Sequence, residues 1–161
     1  MRALILALTL LIAATASPAH AATPAQQIAA VLDQLHATAA KADGPAYFAL
    51  YTPDAVFIGT DVTERWDLPA FKAFAEPYFS QGKGWTYVPR VRHITIAPCR
   101  CVAWFDEVLN SQSYGTVRGS GALVLTAEGW KVSQYVLSIP IPNDLAGDMT
   151  AKIKAFEAAP K

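Results

Sequence analysis

Residues 114–138 read YGTVRGSGALVLTAEGWKVSQYVLS, which is two runs of strand-forming residues with a short break between them. The break is Ala127-Glu128-Gly129, and Trp130 follows it as an aromatic anchor for the second run. Two such runs joined by a short Gly-containing connection are typical of an antiparallel hairpin. The rest of the chain is interpreted around this hairpin.

The polar residues of the hairpin follow the two-residue period of a strand. Arg118 and Ser120 point to one face of the first strand, and Gln134 and Ser138 share a face of the second. A few polar groups among apolar neighbours fit the lining of a cavity. They fit an ordinary solvated face equally well.

The amino terminus has the pattern of a signal peptide. Arg2 precedes an apolar run from Ala3 to Ala16, and Ala19-His20-Ala21 fits the small-x-small rule for cleavage. The run is shorter than the ~20 residues that a membrane-spanning helix needs. We therefore expect a signal peptide over residues 1–21 and a periplasmic or secreted domain over residues 22–161, with an uncleaved anchor as the alternative.

Composition limits the classes of function. Arg2 is the only charged residue among the first 21, so the mature chain keeps 12 basic and 13 acidic residues, a net charge of −1. This balance argues against a nucleic-acid partner, which needs a clustered basic surface. No later segment is apolar enough to predict a membrane span, and the remaining length suits one domain.

The only two cysteines are Cys99 and Cys101. An exported protein can form disulfides, but residues two apart in a regular strand stand near the upper distance limit, so a bridge requires a bend, for which Pro98 is suited. A C-x-C pair with no nearby ligand cluster is a weak zinc signal. We expect a strained turn disulfide or two free thiols, and no metal site.

The first part of the mature chain has helical patterns. Thr23, Pro24 and Gln26 form a capping-box start, and the helix ends at Gly44-Pro45, with His36 expected on its surface. A short helix is expected at Ala46 to Tyr51 and a short strand at Ala55 to Thr60. A polar connection from Asp61 to Trp66 and a helix that Asp67 caps, from Leu68 onward, are expected after them.

The second part has strand patterns with short connections, which favour antiparallel neighbours. The expected strands are Trp85 to Ala97, Cys101 to Asn110, Gly115 to Thr126 and Trp130 to Ile139, followed by a terminal helix carrying Leu145, Met149, Ile153 and Phe156. This order predicts an α+β fold in which a curved antiparallel sheet packs on amino-terminal helices and forms a cone with a cavity at its open end.

Aromatic side chains are numerous enough to line such a cavity or to fill the core. The candidate ligand-binding residues are Tyr51, Phe57, Trp66, Phe74, Tyr78, Trp85 and Trp104, together with Arg118 and Gln134. In the strand patterns, Trp85, Tyr87, Val91 and His93 share one side of the first strand, and Val102, Trp104, Asp106 and Val108 share one side of the second.

Several stretches resemble the SnoaL-like branch of the nuclear transport factor two-like superfamily. They are Leu50 to Asp61, Glu64 to Trp66, Val102 to Phe105, Arg118 to Gly121, Gly129 to Val132 and Ser138 to Pro140. The resemblance implies a cone-shaped α+β barrel, a pocket between sheet and helices, and a homodimer formed through the outer face of the sheet. Relatives include cyclases, isomerases, dehydratases and proteins with no assigned reaction. Many relatives have a histidine where this chain has Val136, so the resemblance does not supply that acid–base residue.

The candidate catalytic residues are His93 as a general base and Asp106 as a proton-shuttling carboxylate. Asp106 and Glu107 are adjacent in a strand, so only one of them can line the pocket. Arg118 either has a pocket role, in which it holds that carboxylate ionised or binds an anionic ligand, or forms a structural ion pair with Glu107 or Asp106 across neighbouring strands. No phosphate-binding loop, catalytic triad or metal cluster is visible, and no cofactor is expected.

Three functions follow as hypotheses. The favoured one is an exported domain that binds a small hydrophobic or aromatic molecule in an apolar pocket. The second is an isomerase, dehydratase or cyclase that works by proton transfer without a cofactor. The third is a structural dimerisation module.

Overall fold

A computed structural model describes residues 21–160, so nearly all of the expected signal peptide lies outside the described residues. The helices are α1 (Pro24–Ala40), α2 (Gly44–Phe48), α3 (Leu68–Phe79) and α4 (Asn143–Glu157). The strands are β1 (Tyr51–Ile58), β2 (Arg65–Asp67), β3 (Tyr87–Ile96), β4 (Val102–Ser111), β5 (Gly115–Thr126) and β6 (Gly129–Ser138).

The expected capping box begins α1. Thr23 accepts from the backbone N–H of Gln26, and the Gln26 side chain accepts from the backbone N–H of Thr23. These two backbone N–H groups would otherwise lack a partner at the start of the helix, and the local side chains supply one for each. The position of the helix start therefore follows from the local sequence. Apolar residues at helical spacing, including Ile28 and Leu32, are then fully buried, which packs α1 against the sheet.

Two expected elements differ from the structure. The short helix lies earlier, at Gly44–Phe48, because Asp43 caps it by accepting from the backbone N–H of Ala46 and Pro45 suits its first turn. The strand after it begins at Tyr51 rather than Ala55, and the end of the expected polar connection forms β2.

The sheet has six strands in the order β2-β1-β6-β5-β4-β3. It is curved and unclosed, with the amino-terminal helices packed on its concave inner face. The hairpin β5–β6 is antiparallel, as expected from its sequence. The expected antiparallel pairing is found between all neighbouring strands except β1 and β6, which pair in parallel. A strand far from β6 in sequence can meet it in either direction, whereas a short turn forces an antiparallel partner.

The core fills the space between the sheet and α1, α2 and α3. Its members on the strands include Phe105, Leu109, Val117, Leu123 and Val132, all nearly or fully buried. These residues define the inner face, and their neighbours in each strand point to the opposite, outer face.

Helix α4 follows the last strand and contains no buried residue. Its apolar side chains are partly exposed, and Phe156 is 78% exposed. No helix among residues 21–160 is both long enough and apolar enough to cross a membrane.

Candidate functional site

A cavity of about 330 Å³ opens at the edge of the inner face, between α3 and the sheet. We call it the aromatic cavity. Its apolar wall comes mainly from β1, β2, α3 and the segment before β3, and includes Phe57, Trp66, Phe71, Phe74, Tyr78 and Trp85. Its position follows from the curvature of the sheet, which separates the strand ends from the helices.

The rings of the apolar wall pack on one another in a continuous stack. Ring centroids are 4.0 Å apart for Phe57 and Phe71, and 4.5 Å apart for Trp66 and Phe74. Phe74 is 40% exposed and Tyr78 is 48% exposed, so both keep free surface towards the opening. Partly exposed rings beside a stack of this kind provide apolar surface on which an aromatic ligand can pack.

A second part of the lining of the aromatic cavity is polar. It is formed by the turn between β4 and β5, residues 111–114, and by Thr60, Glu64 and Thr86. The loop that carries Thr60 and Glu64 is held by its own hydrogen bonds, because the backbone N–H of Gly59 donates to the Glu64 carbonyl at 2.8 Å. The cavity therefore combines an apolar stack with hydroxyl and carboxylate groups.

A buried carboxylate lies deeper in the inner face. Glu107 of β4 is 0% exposed and accepts hydrogen bonds from three side chains. His36 Nε2 of α1 lies 2.7 Å from Oε1, and Tyr135 Oη of β6 lies 3.1 Å from the same oxygen. Arg92 Nε of β3 lies 2.7 Å from Oε2. Side chains from three elements thus converge on Glu107 of β4, and we call these four residues the Glu107 cluster.

The contacts within the Glu107 cluster shift the pKa of Glu107 and that of Tyr135. Burial acts to raise the pKa of Glu107, but the hydrogen bond and charge of His36, and then those of Arg92, outweigh it, and the pKa is lowered. Burial, and then the charge of Glu107, raises the pKa of Tyr135 well above its ordinary value. The carboxylate is therefore ionised and accepts only, so His36 Nε2 and the Tyr135 hydroxyl are both donors.

Gly119 provides the room that this arrangement needs. It lies beside Glu107 on β5, and a Cβ at this position would collide with the Tyr135 hydroxyl and stand 3.0 Å from Glu107 Oε1. The absent side chain lets Tyr135 reach across β5 to the carboxylate.

A separate narrow space of about 10 Å³ lies between the two regions. It borders His36 and Tyr135 on one side, and it shares Phe57, Trp85, Tyr87 and Leu137 with the wall of the aromatic cavity. Burial raises the pKa of Tyr87 to about 12, so this hydroxyl stays protonated at the boundary. The Glu107 cluster thus stands directly behind the inner wall of the aromatic cavity.

Five of the expected ligand-binding residues line the aromatic cavity: Phe57, Trp66, Phe74, Tyr78 and Trp85. Tyr51 instead belongs to the core, where it is 5% exposed and its hydroxyl lies 2.8 Å from that of Tyr47. Burial raises the pKa of both tyrosines, so both remain protonated inside the core.

The other expected site residues lie on the outer face, away from the cavity. They are Trp104, Arg118 and Gln134 from the ligand-binding set and His93 and Asp106 from the catalytic set, all classed as exposed. Asp106 is next to Glu107, so the period of the strand turns it outward when Glu107 points inward. Arg118 pairs in register with Val108 and Ser138, and it does not reach Glu107, whose cationic partner is Arg92. The hairpin's polar set, Arg118, Ser120, Gln134 and Ser138, thus lies on the outer face and does not line the cavity.

The sequence interpretation missed three members of the Glu107 cluster. His36 was expected on the helix surface but is only 7% exposed. It lies four residues after Leu32 and three before Ala39, both core residues, and this spacing is the signal that puts it on the buried face of α1. Tyr135 is adjacent to Gln134 in β6, so its inward direction follows once the face is known. Arg92 has no such signal, because its direction depends on an irregularity in β3.

The cysteines form a disulfide, with Cα atoms 5.3 Å apart. The bend that this requires is the turn between β3 and β4, in which Arg100 takes a left-handed conformation, φ 57°. Among residues 21–160, no group of three or more His, Cys, Asp or Glu side chains is placed to hold a metal ion.

Comparison with solved structures shows the same fold in proteins of low sequence identity. A nuclear transport factor two-like protein of unknown function from Pseudomonas putida is 13% identical, with a TM-score of 0.61 over 73% of this chain and 87% of that one. A suggested dehydratase of that family from Streptomyces avermitilis is 11% identical, with a TM-score of 0.64 over 74% and 97%. A suggested aromatic ring hydroxylase from Novosphingobium aromaticivorans is 16% identical, with a TM-score of 0.63 over 72% and 88%.

No curated protein matches the sequence at a significant level. A model of the SnoaL-like domain family matches residues 28–142, which run from α1 to the end of the sheet and contain both the aromatic cavity and the Glu107 cluster. Because the family model matches most of the chain and the fold is that of nuclear transport factor two-like proteins, this protein belongs to the SnoaL-like domain family of the nuclear transport factor two-like superfamily.

Proposed function

We propose that this protein binds a small, planar, hydrophobic or aromatic molecule in the aromatic cavity. The observation that carries the proposal is the stacked ring wall, with Phe74 and Tyr78 partly exposed, beside a space of about 330 Å³. Ligand cavities in proteins start at ~300 Å³ and combine apolar walls with a few polar groups, so the size suits a compound of one or two rings. The polar turn at residues 111–114 would meet a hydroxyl or carbonyl at the edge of that compound.

Intrinsic fluorescence tests the proposal, because Trp66 and Trp85 line the cavity whereas Trp104 lies on the outer face and Trp130 is in the core. The full chain is titrated with naphthol as the probe. Saturable quenching is expected, and Phe74→Ala should weaken binding about ten-fold because it removes one aromatic partner.

Phe156→Ala is the matched control, since it makes the same change at an exposed residue of α4 that does not line the cavity. It should leave the affinity for naphthol unchanged. Absence of saturable binding, or equal effects of Phe74→Ala and Phe156→Ala, would overturn the proposal.

A second candidate function is proton-transfer catalysis without a cofactor, as in an isomerase, dehydratase or cyclase. The Glu107 cluster favours it, because a carboxylate-oriented histidine stands behind the cavity wall next to a tyrosine hydroxyl. Glu107 would act as the positioning residue, since its lowered pKa makes it a weak base. His36 would exchange the proton with a ligand that displaces the rings between the two spaces.

Hydrogen–deuterium exchange at the carbon next to the carbonyl of tetralone tests this candidate, because enolisation is the shared first step of such reactions. The exchange should be accelerated by the full chain, abolished in His36→Gln and retained in His93→Gln, whose side chain is on the outer face. If the unmodified protein does not accelerate the exchange, or if His36→Gln accelerates it equally, this candidate function is eliminated. Neither result contradicts the proposal of ligand binding.

We propose in addition that the protein is exported and loses residues 1–21. The support is the Ala19-His20-Ala21 cleavage pattern and a disulfide, which is typical of oxidising compartments. Intact mass of the protein expressed with its leader should give a chain that begins at Ala22. A chain that retains its first residues would contradict export by cleavage.

We also propose a homodimer in which a second copy covers the outer face. The outer face carries partly exposed apolar side chains, among them Val91, which is 48% exposed, and Trp104, which is 50% exposed. Soluble monomers rarely keep large contiguous apolar patches in water. A purely structural dimerisation module would show no saturable quenching in the naphthol titration, which distinguishes it from a ligand-binding protein.

A further inference from the structure

The disulfide between Cys99 and Cys101 closes a very short loop at an exposed turn. Both cysteines are exposed, and only Arg100 lies between them. A disulfide restricts the unfolded chain less as the loop it closes becomes shorter, so this one contributes little to the stability of the fold.

The turn is also held without the sulfur–sulfur bond. The backbone N–H of Arg100 donates to the carbonyl of Ala97 at 2.8 Å, and that of Ala97 donates to Val102 at 2.9 Å. The backbone N–H of Leu125 on β5 donates to the carbonyl of Cys101 at 2.8 Å, which fixes the end of the turn to the sheet. The backbone would therefore keep its shape in the dithiol form.

From this we infer that Cys99 and Cys101 form a redox-active pair that exchanges with unhindered thiols of peptides or small molecules. The two sulfurs are not equivalent. The backbone N–H of Cys101 donates to Cys99 Sγ at 3.2 Å, which stabilises negative charge on that sulfur, and the cationic Arg100 adjoins it in sequence. Cys99 is thus the better leaving group in one direction and the better nucleophile in the other.

The exchange proceeds in two balanced steps. An incoming thiolate attacks Cys101 Sγ, the bond between the two cysteines breaks, and Cys99 leaves with the electron pair as a thiolate. A second incoming thiolate then attacks the sulfur of the bound partner, and Cys101 leaves as a thiolate that takes up a proton. Two partner thiols are oxidised to one disulfide, and the protein disulfide is reduced to a dithiol.

The pair lies far from the aromatic cavity. The turn at residues 97–101 and the cavity turn at residues 111–114 are at opposite ends of β4, a ten-residue strand, and so roughly 30 Å apart. Success or failure of this inference is therefore independent of ligand binding in the cavity.

Equilibration of the full chain in mixtures of reduced and oxidised glutathione tests the inference, with alkylation of free thiols and intact mass as the readout. The protein should change from fully oxidised to fully reduced within the range of mixtures, while its far-ultraviolet circular dichroism stays constant. A disulfide that survives excess reduced glutathione, or a fold that is lost on reduction, would overturn it.

The two single-serine variants test the asymmetry. Cys101→Ser leaves Cys99 free and Cys99→Ser leaves Cys101 free, and each is reacted with an aromatic disulfide reagent at neutral pH. The free Cys99 should react several-fold faster, because the backbone N–H of residue 101 remains in place beside it. Equal rates, or a faster Cys101, would refute the assigned roles.

Discussion

Arg92 and Glu107 face each other across β3 and β4, and the guanidinium Nε lies 2.7 Å from the carboxylate Oε2. Arg92 Nη1 also donates to the Asp33 carboxylate at 2.7 Å and to the Ala29 carbonyl at 3.2 Å, both on α1. One side chain therefore joins the first helix to the sheet and neutralises a carboxylate that has no contact with solvent. A buried charge is tolerated only with such partners.

Replacement of Glu107 should be costly. Glu107→Gln keeps the shape of the side chain but leaves Arg92 beside a neutral group, and loss of one member of a buried ion pair costs ~3 kcal/mol or more. Urea denaturation should show this decrease in the free energy of unfolding. Asp106→Asn makes the same chemical change at an exposed position and should stay within ~0.5 kcal/mol of the unmodified protein. Equal effects of the two variants would contradict the ion-pair argument.

The same carboxylate should make stability depend on acid pH. The pKa of Glu107 is lower in the folded than in the unfolded state, so the unfolded state binds more protons in acid and stability falls as the pH decreases. The stabilisation is complete above the ordinary glutamate pKa of ~4.3 and is lost as the pH falls from there through the folded-state pKa. The stability difference between the unmodified protein and Glu107→Gln should therefore shrink below about pH 4. A difference that is constant with pH would assign the stabilisation to another group.

Gly119→Ala should expel the Tyr135 hydroxyl from the Glu107 cluster. The new methyl group would collide with that hydroxyl, and overpacking of this kind costs ~1–3 kcal/mol. Tyr135→Phe removes the atom that clashes, so the double variant should lose less stability than the sum of the two single variants. Gly147→Ala in α4 meets no atom within 4 Å and is the control, which should be neutral or stabilising. Strict additivity would show that Gly119 and Tyr135 are not in contact.

The fold followed from local signals in the sequence wherever those signals were complete. The capping box at Thr23 begins α1, and Ala127-Glu128-Gly129 gives the hairpin of β5 and β6. Helix α2 begins earlier than the expected Ala46 because Asp43, two residues before Pro45, caps it. The parallel pairing of β1 with β6 has no local signal, because it joins strands about 80 residues apart and depends on how the whole sheet assembles.

The candidate site was harder to predict because a strand pattern gives two faces without saying which is buried. A register irregularity between Pro89 and Val91 then breaks the two-residue period of β3. Tyr87 points inward before it, but Arg92 points inward after it and His93 points outward. A one-residue shift exchanges the faces, so the inward cation could not be identified from spacing.

Trp104 should be essential for the proposed homodimer. It is 50% exposed at the outer face, and a large aromatic residue at the centre of an interface commonly contributes 2 kcal/mol or more to association. Trp104→Glu places a charge where the partner would dehydrate it, so the dissociation constant should rise about a hundred-fold or more in analytical ultracentrifugation. Val62→Glu introduces the same charge at a residue that is 97% exposed in the loop between β1 and β2, and it should leave the association unchanged. A protein that sediments as a monomer at high concentration, or a Val62→Glu variant that dissociates equally, would show that the outer face is not the interface.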